Sequence, residues 1–472
     1  MLTMFPGERP EYPDVQDDGD RAVISLSYGG KFTTAVCRLH INGKAFTGSA
    51  RFLSSESTDK LLRDRLCQRV VKLSFYRAAL ASGVPAPAWG ALTGIRPGKL
   101  ISNFLDEGLS PRRAVSEFMR QYDVSRERAE LCLDAAKGDA KVRSLLDKND
   151  ICLYVGIPFC PTRCAYCSFV SNSVEKSTKL IEPFMDALMR DIDATAETIA
   201  DIGLRPRSLY IGGGTPTTLT PEQLDRMCAR LCQAFDLSGL LEYTVEAGRP
   251  DTITREKLCV LKSHGVTRIS VNPQTLDDRV LEAIGRRHTA GDVLDAMELV
   301  RDIGGFKINM DLIAGLTADS PEGFRRTLDT VLKLRPENIT VHTLALKKGS
   351  RIMLEGTSLP GARDVGRMLD YAVSALRSSG YGPYYLYRQK FMSGGFENVG
   401  WSLPGAYNLY NICIMEELCS IISMGGGAST KLVSPSGRIE RVFAPKYPLE
   451  YIERSDKVIS DKIRIKEFYN GV

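Results

Sequence analysis

From residue 151 onward, short apolar runs alternate with longer stretches in which apolar residues recur every three or four positions. The short runs are typical of buried strands and the longer stretches of amphipathic helices. Six strands are predicted, at residues 152–157, 208–211, 242–246, 268–272, 307–313 and 338–346. Because regular alternation of strand and helix produces parallel strands with crossover helices, the sequence predicts an α/β fold containing an incomplete (β/α)6 barrel.

The helices between these strands are predicted to pack one apolar face on the sheet. The first spans residues 179–202, and the next carries Cys228 and Cys232 among its apolar positions. A free cysteine on the apolar side of a helix behaves as a small hydrophobic residue, so both are interpreted as core residues. Later helices are expected after Thr254, Asp277, Gly291 and Pro321.

The first 147 residues follow a different pattern. Alternating positions predict strands at residues 21–27 and 32–41, and a helical pattern runs through residues 61–81, with further helices after it. We therefore expect three domains. They are an N-terminal α+β accessory domain at residues 1–147, the barrel at 148–360 and a C-terminal α/β extension at 361–472.

The composition is that of an ordinary globular protein, with 43% hydrophobic and 25% charged residues. The net charge of +5 is small and comes without a run of lysine or arginine, which argues against nucleic-acid binding. No apolar stretch approaches the roughly 18 residues of a membrane span, and the first residues lack a signal-peptide pattern. The 12 cysteines are scattered through a long chain, so we expect a reducing cytoplasm rather than a disulfide scaffold.

A C-x3-C-x2-C triplet, Cys160, Cys164 and Cys167, follows the first predicted barrel strand. Three thiolates in one loop can hold three irons of a cubane cluster, and no fourth cysteine follows at ligand spacing. The remaining iron would be open to a non-protein ligand, which distinguishes a reactive metal centre from a structural one. Unrelated buried cysteines and a zinc site are the alternatives. Zinc would need a distant fourth ligand, because even the nearest histidine, His264, is far along the chain.

In barrels of this type the site lies at the C-terminal ends of the strands, and chemistry-bearing residues occur there. Three glycines at 212–214 follow the second strand, where they could expose peptide N–H groups to a ligand. Glu246 ends the third strand, Gln274 follows the fourth with Arg286 on the next helix, and Asp311 lies within the fifth. Each could be an ordinary surface or turn residue, but their succession on one sheet edge favours a site.

Several motifs resemble one known family. They are Tyr-Val-Gly-Ile-Pro-Phe-Cys at 154–160, Gly-Gly-Gly-Thr-Pro-Thr at 212–217, the segment 274–286, and Asn-Met-Asp-Leu-Ile-Ala-Gly-Leu at 309–316. Together they resemble the oxygen-independent coproporphyrinogen III oxidases, which are radical S-adenosylmethionine (SAM) enzymes, and the HemZ branch most closely. The resemblance covers residues 151–346 well and continues into 384–401. It implies that the C-terminal region covers the substrate.

The resemblance also implies roles for individual residues. The three cysteines of the triplet would hold a 4Fe–4S cluster, with SAM on its open iron. Residues that would contact this SAM are Tyr154, Gly213, Thr215 and Glu246. Residues at positions that hold a second SAM in the founding enzyme are Tyr166, Gly214, Gln274, Arg286 and Asp311.

The implied activity is an oxidoreductase reaction of anaerobic haem biosynthesis. SAM would be cleaved to a 5′-deoxyadenosyl radical, which removes a hydrogen atom from a propionate, and loss of carbon dioxide and one electron would leave a vinyl group. Two such events convert coproporphyrinogen III to protoporphyrinogen IX. The expected partners are a tetrapyrrole substrate and an electron donor such as flavodoxin or ferredoxin, and the expected state is a cytoplasmic monomer. Basic and aromatic residues at 384–391 could line the substrate pocket, or they could form a core strand with a basic edge.

One position departs from the founding oxidase, which resembles C-x3-C-x2-C-x-C. Phe169 stands where that enzyme has the additional cysteine. Phenylalanine here also resembles the haem-chaperone branch of the superfamily, which binds haem. A haem-binding chaperone, a radical SAM enzyme acting on another tetrapyrrole, and a zinc-bearing structural or regulatory protein therefore stay open as alternatives.

Overall fold

The computed structural model describes residues 4–5, 11, 19–167, 172–345, 350–352, 358–389 and 393–471. The chain forms two compact units. The first comprises Met1–Ile95, Leu100–Leu133 and Gly394–Phe396, and the second comprises Arg96–Lys99, Asp134–Ser393 and Glu397–Val472. The domain boundaries after residues 147 and 360 stay predictions. No helix in the described part of the chain is long and apolar enough to cross a bilayer.

The first unit contains a three-stranded antiparallel sheet. Its strands are β1 (Arg21–Tyr28), β2 (Phe32–Ile41) and β3 (Lys44–Leu53), in the order β1-β2-β3. The sequence predicted the first two, whereas β3 was not predicted although Ala50 and Phe52 alternate toward the core. Helix α1 (Lys60–Ala81) covers the sheet, and Val70 and Leu73 pack with Phe52 in one apolar cluster. Helices α2 (Pro97–Asp106), α3 (Pro111–Tyr122) and α4 (Arg126–Arg143) follow.

The second unit contains the predicted parallel strands. The strands in chain order are β4 (Asp150–Ile157), β5 (Phe159–Cys160), β6 (Asn172–Ser173), β7 (Arg205–Gly213), β8 (Glu242–Glu246), β9 (Arg268–Ser270), β10 (Lys307–Ala314) and β11 (Asn338–Thr343). Strands β4, β7, β8, β9, β10 and β11 lie side by side in that order, and each pairs with the next in parallel. Strands β5 and β6 pair separately. The six-strand alternation is therefore confirmed.

Helices connect these parallel strands. They are α5 (Val174–Asp201), α6 (Pro221–Ala234), α7 (Arg255–Ser263), α8 (Asp278–Ala283), α9 (Ala290–Ile303) and α10 (Pro321–Leu334). Thr220 and Gln223 form a capping box at the start of α6, with Pro221 as its first residue. Cys228 on α6 is buried as predicted, but Cys232 is exposed, so its assignment to the core was wrong. Each four-residue step rotates 40° around a helix, which carries Cys232 off the buried stripe near the C-terminal end.

The remaining elements are five strands that extend the sheet at both edges and the described helices before, between and after them. They are α11 (Ala362–Ser378), β12 (Gly382–Arg388), β13 (Glu397–Ser402), α12 (Leu409–Glu416), β14 (Ser420–Gly425), β15 (Ser429–Val433), β16 (Ile439–Phe443), α13 (Pro448–Glu453), α14 (Ser455–Ser460) and α15 (Ile463–Asn470). The sheet has the order β12-β13-β11-β10-β9-β8-β7-β4-β14-β15-β16. Strand β14 is parallel to β4, whereas β13 is antiparallel to β11. Within the described residues the two edge strands, β12 and β16, are not paired with each other, so the sheet does not close. The predicted partial barrel with a C-terminal α/β extension is therefore confirmed.

The segment that leads into α12 lies against the starts of the barrel strands. The Arg268 guanidinium on β9 donates to the carbonyls of Ala406 and Tyr407 at 3.0 and 2.9 Å. The Glu242 carboxylate on β8 accepts from the first amide of α12, Leu409 N, at 3.0 Å and lies 3.3 Å from Arg268. A carboxylate at a helix N-terminus satisfies otherwise unpaired N–H groups. Glu242 and Arg268 thereby fix α12 at the end of the sheet opposite the strand C-termini.

Candidate active site

The cysteine loop follows β4 and is tied to the segment after α8. Ala165 N donates to Ile284 O at 2.9 Å, and the Thr162 hydroxyl donates to Gly285 O at 3.3 Å. Within the loop, Cys167 N donates to Cys164 O at 3.1 Å. The three cysteines of the triplet are half-buried, in contrast to a structural cysteine in an apolar core. The loop therefore presents its thiols at the C-terminal edge of the sheet.

Two polar side chains from neighbouring strands reach the cysteine sulfurs. The Thr215 hydroxyl lies 3.5 Å from Cys160 Sγ. The Arg249 guanidinium lies 3.8 Å from Cys164 Sγ and donates to the Thr162 hydroxyl at 3.1 Å. A cation and a hydroxyl therefore lie beside two of the three sulfurs of the loop. Sequence reasoning missed Arg249, although it stands three residues after Glu246 at the same strand end.

The loop sulfurs are not gathered as closely as one zinc ion requires. Bonds of about 2.3 Å in a tetrahedral site place two thiolates about 3.8 Å apart. In the described part of the chain, the residues whose ligand atoms form a group of three within 4.8 Å are Cys152, Cys413 and Cys419, not the loop cysteines. At least one pair of loop sulfurs is therefore farther apart than 4.8 Å.

The glycine turn after β7 packs tightly against the chain at the end of β4. Gly214 N donates to Ile157 O at 2.7 Å, and Thr215 N donates to Phe159 O at 2.7 Å. A Cβ on Gly214 would lie 2.4 Å from Phe159 O. The expectation that these glycines expose their N–H groups is therefore wrong for Gly214, whose N–H group is bound by a backbone carbonyl, as is that of Thr215 next to it. The glycines are needed because two stretches of backbone approach each other here.

A second glycine turn, at residues 424–428 at the end of β14, also allows two stretches of backbone to approach each other, here those of β14 and β4. Gly425 pairs with Gly156 in the β14–β4 register and has a φ of +90°. A Cβ on Gly425 would lie 2.3 Å from Gly156 O. The backbone of this turn therefore approaches the backbone of β4 closely.

Glu246 ends β8 and faces a group of tyrosines. The Tyr210 hydroxyl donates to its carboxylate, and Tyr210 stacks on Tyr410 of α12 at a centroid distance of 4.4 Å. Tyr154 on β4 completes the stack at 6.1 Å from Tyr210. Burial raises the pKa of Glu246 to about 7, and the charge of Asp311 adds to this shift, while the Tyr210 hydroxyl opposes it. Sequence reasoning included Tyr154 and missed Tyr210 and Tyr410.

Arg286 connects two strand ends, those of β8 and β9, to the cysteine loop. Its guanidinium donates to Asn272 O at 2.6 Å, to Gly248 O at 3.4 Å and to the Tyr166 hydroxyl at 3.2 Å. The side chain is buried, and its Nε atom has no hydrogen-bond partner among the described residues. The fold therefore brings together Arg286 and Tyr166, two predicted site residues that are 120 positions apart in sequence.

Gln274 and Asp311 lie side by side on the neighbouring strands. Gln274 has a φ of +66°, and its N–H donates to Asp311 O at 2.9 Å. This left-handed conformation is uncommon outside glycine and turns the residue back toward β10. Gln274 is buried, and its Oε1 atom has no partner among the described residues. A buried amide oxygen without a partner is costly, so a ligand that donates to it is favoured here.

The Asp311 carboxylate has polar neighbours within the sheet. Asn309 Nδ2 donates to it at 2.9 Å, and His342 Nε2 of β11 lies 3.8 Å away. Burial alone would raise the pKa of Asp311, but His342 and Asn309 hold it below its ordinary value. The sequence-based requirement for a polar environment around Asp311 is met. His342 was missed, because only the sheet register brings it opposite Ile313 and next to Asp311.

The segment proposed for the substrate pocket begins as a core strand. Tyr384 and Tyr385 of β12 are buried, and the Tyr385 hydroxyl donates to Thr340 Oγ1 at 3.5 Å. Arg388 lies opposite Glu397 in the β12–β13 register, and burial lowers the pKa of Arg388 to about 10. The core alternative therefore holds for both tyrosines. Residues 390 and 391 of the segment, and Phe169, lie outside the described residues.

Residues 154–331 match the Radical SAM superfamily. The chain is 39% identical to the "Oxygen-independent coproporphyrinogen-III oxidase-like protein HemZ" of Bacillus subtilis over 387 residues, which cover 80% of this chain and 77% of that protein. The chain belongs to the radical SAM family of coproporphyrinogen III oxidase-like proteins. This family assignment confirms the resemblance that the motifs carry.

Two further similarities place the chain within the radical SAM proteins. It is 32% identical over 251 residues to "Heme chaperone HemW" of Bacillus subtilis, covering 52% of this chain and 64% of that protein. Its fold matches the solved structure of coproporphyrinogen III oxidase (HemN) from Escherichia coli with a TM-score of 0.53 and 22% identity, covering 68% of this chain and 72% of that one. The chain is therefore a radical SAM enzyme related to proteins of haem metabolism.

The cofactors of this radical SAM family are a 4Fe–4S cluster and SAM, and the residues present fit both. Half-buried thiols with the Arg249 cation beside them suit an iron–sulfur cluster. The unpartnered Gln274 Oε1 and Arg286 Nε atoms offer an acceptor and a donor to a polar ligand on the same sheet edge. When bound, the reduced cluster and SAM supply a carbon radical that abstracts hydrogen.

Proposed function

We propose that the chain is a coproporphyrinogen dehydrogenase that converts two propionates of coproporphyrinogen III to the vinyl groups of protoporphyrinogen IX. The similarity to the HemZ and HemN proteins supports a tetrapyrrole substrate. The observation that carries the proposal is that Arg286 donates to Tyr166 of the cysteine loop, while Gln274 and Asp311 are hydrogen-bonded to each other on the following strands. These residues add a second polar binding surface to the one that faces the cluster, and a reaction with two successive oxidations could use it.

We assign the following roles to this chain's residues. The cluster would be held by Cys160, Cys164 and Cys167. The SAM bound to the cluster would be held by Tyr154, Gly213, Thr215 and Glu246. A second SAM would be held by Tyr166, Gly214, Gln274, Arg286 and Asp311. Glu246 would accept hydrogen bonds from ribose hydroxyls, and the tyrosine stack beside it would keep water away. Binding and orientation are thus the protein's contribution, while the radical chemistry belongs to the cofactors.

The electron balance of this reaction requires two redox partners. Each propionate loses one hydrogen atom to the SAM-derived radical, one carbon dioxide and one electron. A low-potential donor such as flavodoxin or ferredoxin would reduce the cluster, and a separate acceptor would take the electron that each decarboxylation releases.

Glu246→Gln should weaken SAM binding in a pH-dependent way while sparing the cluster. With a pKa of about 7, the Glu246 carboxyl is about one-tenth ionised at pH 6 and about nine-tenths ionised at pH 8. Affinity scales with the binding-competent fraction, so the ratio of wild-type to variant SAM affinity should rise about tenfold between these pH values. The ratio removes the effect of SAM's own titration. Equilibrium dialysis with anaerobically reconstituted protein measures it.

The matched control for this prediction is Glu298→Gln on the exposed face of α9, which should leave the ratio at one. A ratio for Glu246→Gln that stays constant from pH 6 to pH 8, at unchanged iron content, would remove Glu246 from SAM binding. Loss of iron as well would indicate a folding role instead.

The direct test is an anaerobic incubation of the reconstituted protein with SAM, a reductant and coproporphyrinogen III. We expect a tetrapyrrole product two carboxylates shorter, together with 5′-deoxyadenosine, both measured by chromatography. Omitting SAM should abolish both. Formation of 5′-deoxyadenosine without any decarboxylated tetrapyrrole would contradict the proposal.

A second candidate is a haem chaperone, which the similarity to HemW favours. A chaperone would bind haem stably and form no protoporphyrinogen. Absorption spectroscopy of the protein mixed with haem, followed by gel filtration, distinguishes it from the dehydrogenase when combined with the assay above.

A further inference from the structure

A second group of cysteines lies away from the active-site loop. Cys152 is on β4, Cys413 is on α12, and Cys419 immediately precedes β14. Their three sulfur atoms all lie within 4.8 Å of one another, and Cys152 Sγ and Cys419 Sγ are 3.7 Å apart. All three side chains are buried. The sequence gives no spacing signal for this group, because more than 260 positions separate Cys152 from the other two.

We propose that Cys152, Cys413 and Cys419 form a second metal site, which binds one Zn²⁺ ion through three thiolates, with a water molecule or a chloride ion as the fourth ligand. Two thiolates on one tetrahedral zinc are about 3.8 Å apart, close to the observed 3.7 Å between Cys152 and Cys419. The group consists of sulfur donors alone, which favours soft ions such as zinc over magnesium or calcium. Two atoms of this group are already at the separation that such an ion requires.

The surroundings of the group are apolar and include Ile412 and Ile421. Zn²⁺ binding would displace the thiol protons, and the bound cation would neutralise the thiolates in these apolar surroundings. The alternative is three neutral thiols that pack as small hydrophobic groups.

A metal at this position would join three elements that are distant in sequence. Cys413 is one helical turn after Tyr410, and Cys152 is two residues before Tyr154 on the same face of β4. Tyr154 and Tyr410 stack at 6.0 Å and adjoin Glu246 through Tyr210. The ion would therefore fix α12 and β14 to the first barrel strand directly below the tyrosine stack, which is a structural role.

The test uses the full chain with Cys160, Cys164 and Cys167 all replaced by Ala, so that the active-site loop cannot bind metal. After equilibration with Zn²⁺ and removal of excess ion, elemental analysis should find about one zinc per chain. Addition of Cys413→Ala or Cys419→Ala should reduce this to near zero. Cys228→Ala, which removes a buried cysteine from α6, is the matched control and should leave the zinc content unchanged.

A second measurement leaves Cys152, Cys413 and Cys419 unchanged. Titrating the same background with Co²⁺ should produce a thiolate-to-cobalt charge-transfer band that saturates at about one equivalent and is displaced by Zn²⁺. Thermal unfolding should shift to a lower temperature when a chelator removes the ion. Absence of the band, or zinc retained in both Cys413→Ala and Cys419→Ala, overturns the proposal. Because the loop cysteines are missing here, this result is independent of the proposed dehydrogenase activity.

Discussion

Replacing Cys160, Cys164 or Cys167 singly with Ala should reduce the iron content of the reconstituted protein from about four irons per chain to near zero. Each thiolate would bind a different iron of the cluster, so the loss of any one leaves an iron without its protein ligand. SAM cleavage should fall to the background of the uncatalysed mixture in all three variants. Iron and sulfide analysis after anaerobic reconstitution, with electron paramagnetic resonance of the reduced protein, measures the effect.

The control for this prediction is Cys228→Ala, which removes a buried thiol from α6 and should retain the full cluster. Cys413→Ala should also retain it, because the buried cysteine group is separate from the loop. Iron and sulfide near the wild-type amount in any one of the three loop variants would contradict the assignment of the ligands.

The barrel could be predicted from the sequence because its signals are local. A buried parallel strand reads as a short apolar run, and its covering helix repeats every three or four residues. Parallel order then places all strand C-termini on one edge, so Glu246, Gln274 and Asp311 could be expected near the cysteine loop before any distance was known. Gln274 N donates to Asp311 O, and the charge of Asp311 raises the pKa of Glu246, so these three residues do lie near one another.

The parts that could not be predicted depend on contacts between distant segments. Tyr410 reaches Tyr210 because Glu242 and Arg268 hold the start of α12, and neither residue carries a local signal for that contact. The cysteine group of Cys152, Cys413 and Cys419 arises in the same way. The direction of an N–H group in a glycine turn is also set by its neighbours, so the sequence could not show that the Gly214 N–H binds Ile157 O instead of facing a ligand.

The pairing of Arg388 with Glu397 bears on the substrate pocket. Arg388 was selected from sequence as a cation for a propionate, whereas in the structure it lies opposite a buried carboxylate. Arg388→Ala therefore removes the positive charge opposite Glu397 within the sheet as well as a candidate anchor for a propionate. A loss of activity in that variant would not separate the two roles. Asp311 offers a cleaner test of the proposed second site.

Asp311→Ala should abolish decarboxylation of coproporphyrinogen, by at least about 100-fold, while the cluster remains at its wild-type amount. The carboxylate accepts from Asn309 and lies 3.8 Å from His342, and these neighbours hold its pKa below the ordinary value, so its removal takes the negative charge out of the proposed second SAM site. A charged group that organises a bound reactant typically contributes several kcal/mol, which corresponds to this loss of rate. The product is quantified by chromatography, and iron is measured in the same sample.

The isosteric variant Asp311→Asn separates binding from folding. It keeps the shape of the side chain and a hydrogen-bond acceptor for Asn309, so its thermal unfolding should match the wild type while product formation is still lost. Asp295→Ala on the exposed face of α9 is the matched control and should change neither quantity. Decarboxylation near the wild-type rate in Asp311→Asn, with the cluster intact, would remove Asp311 from the site. Because the variant leaves the cysteine loop and Glu246 unchanged, that outcome would leave the cluster and the first SAM in place and would count against the second SAM alone.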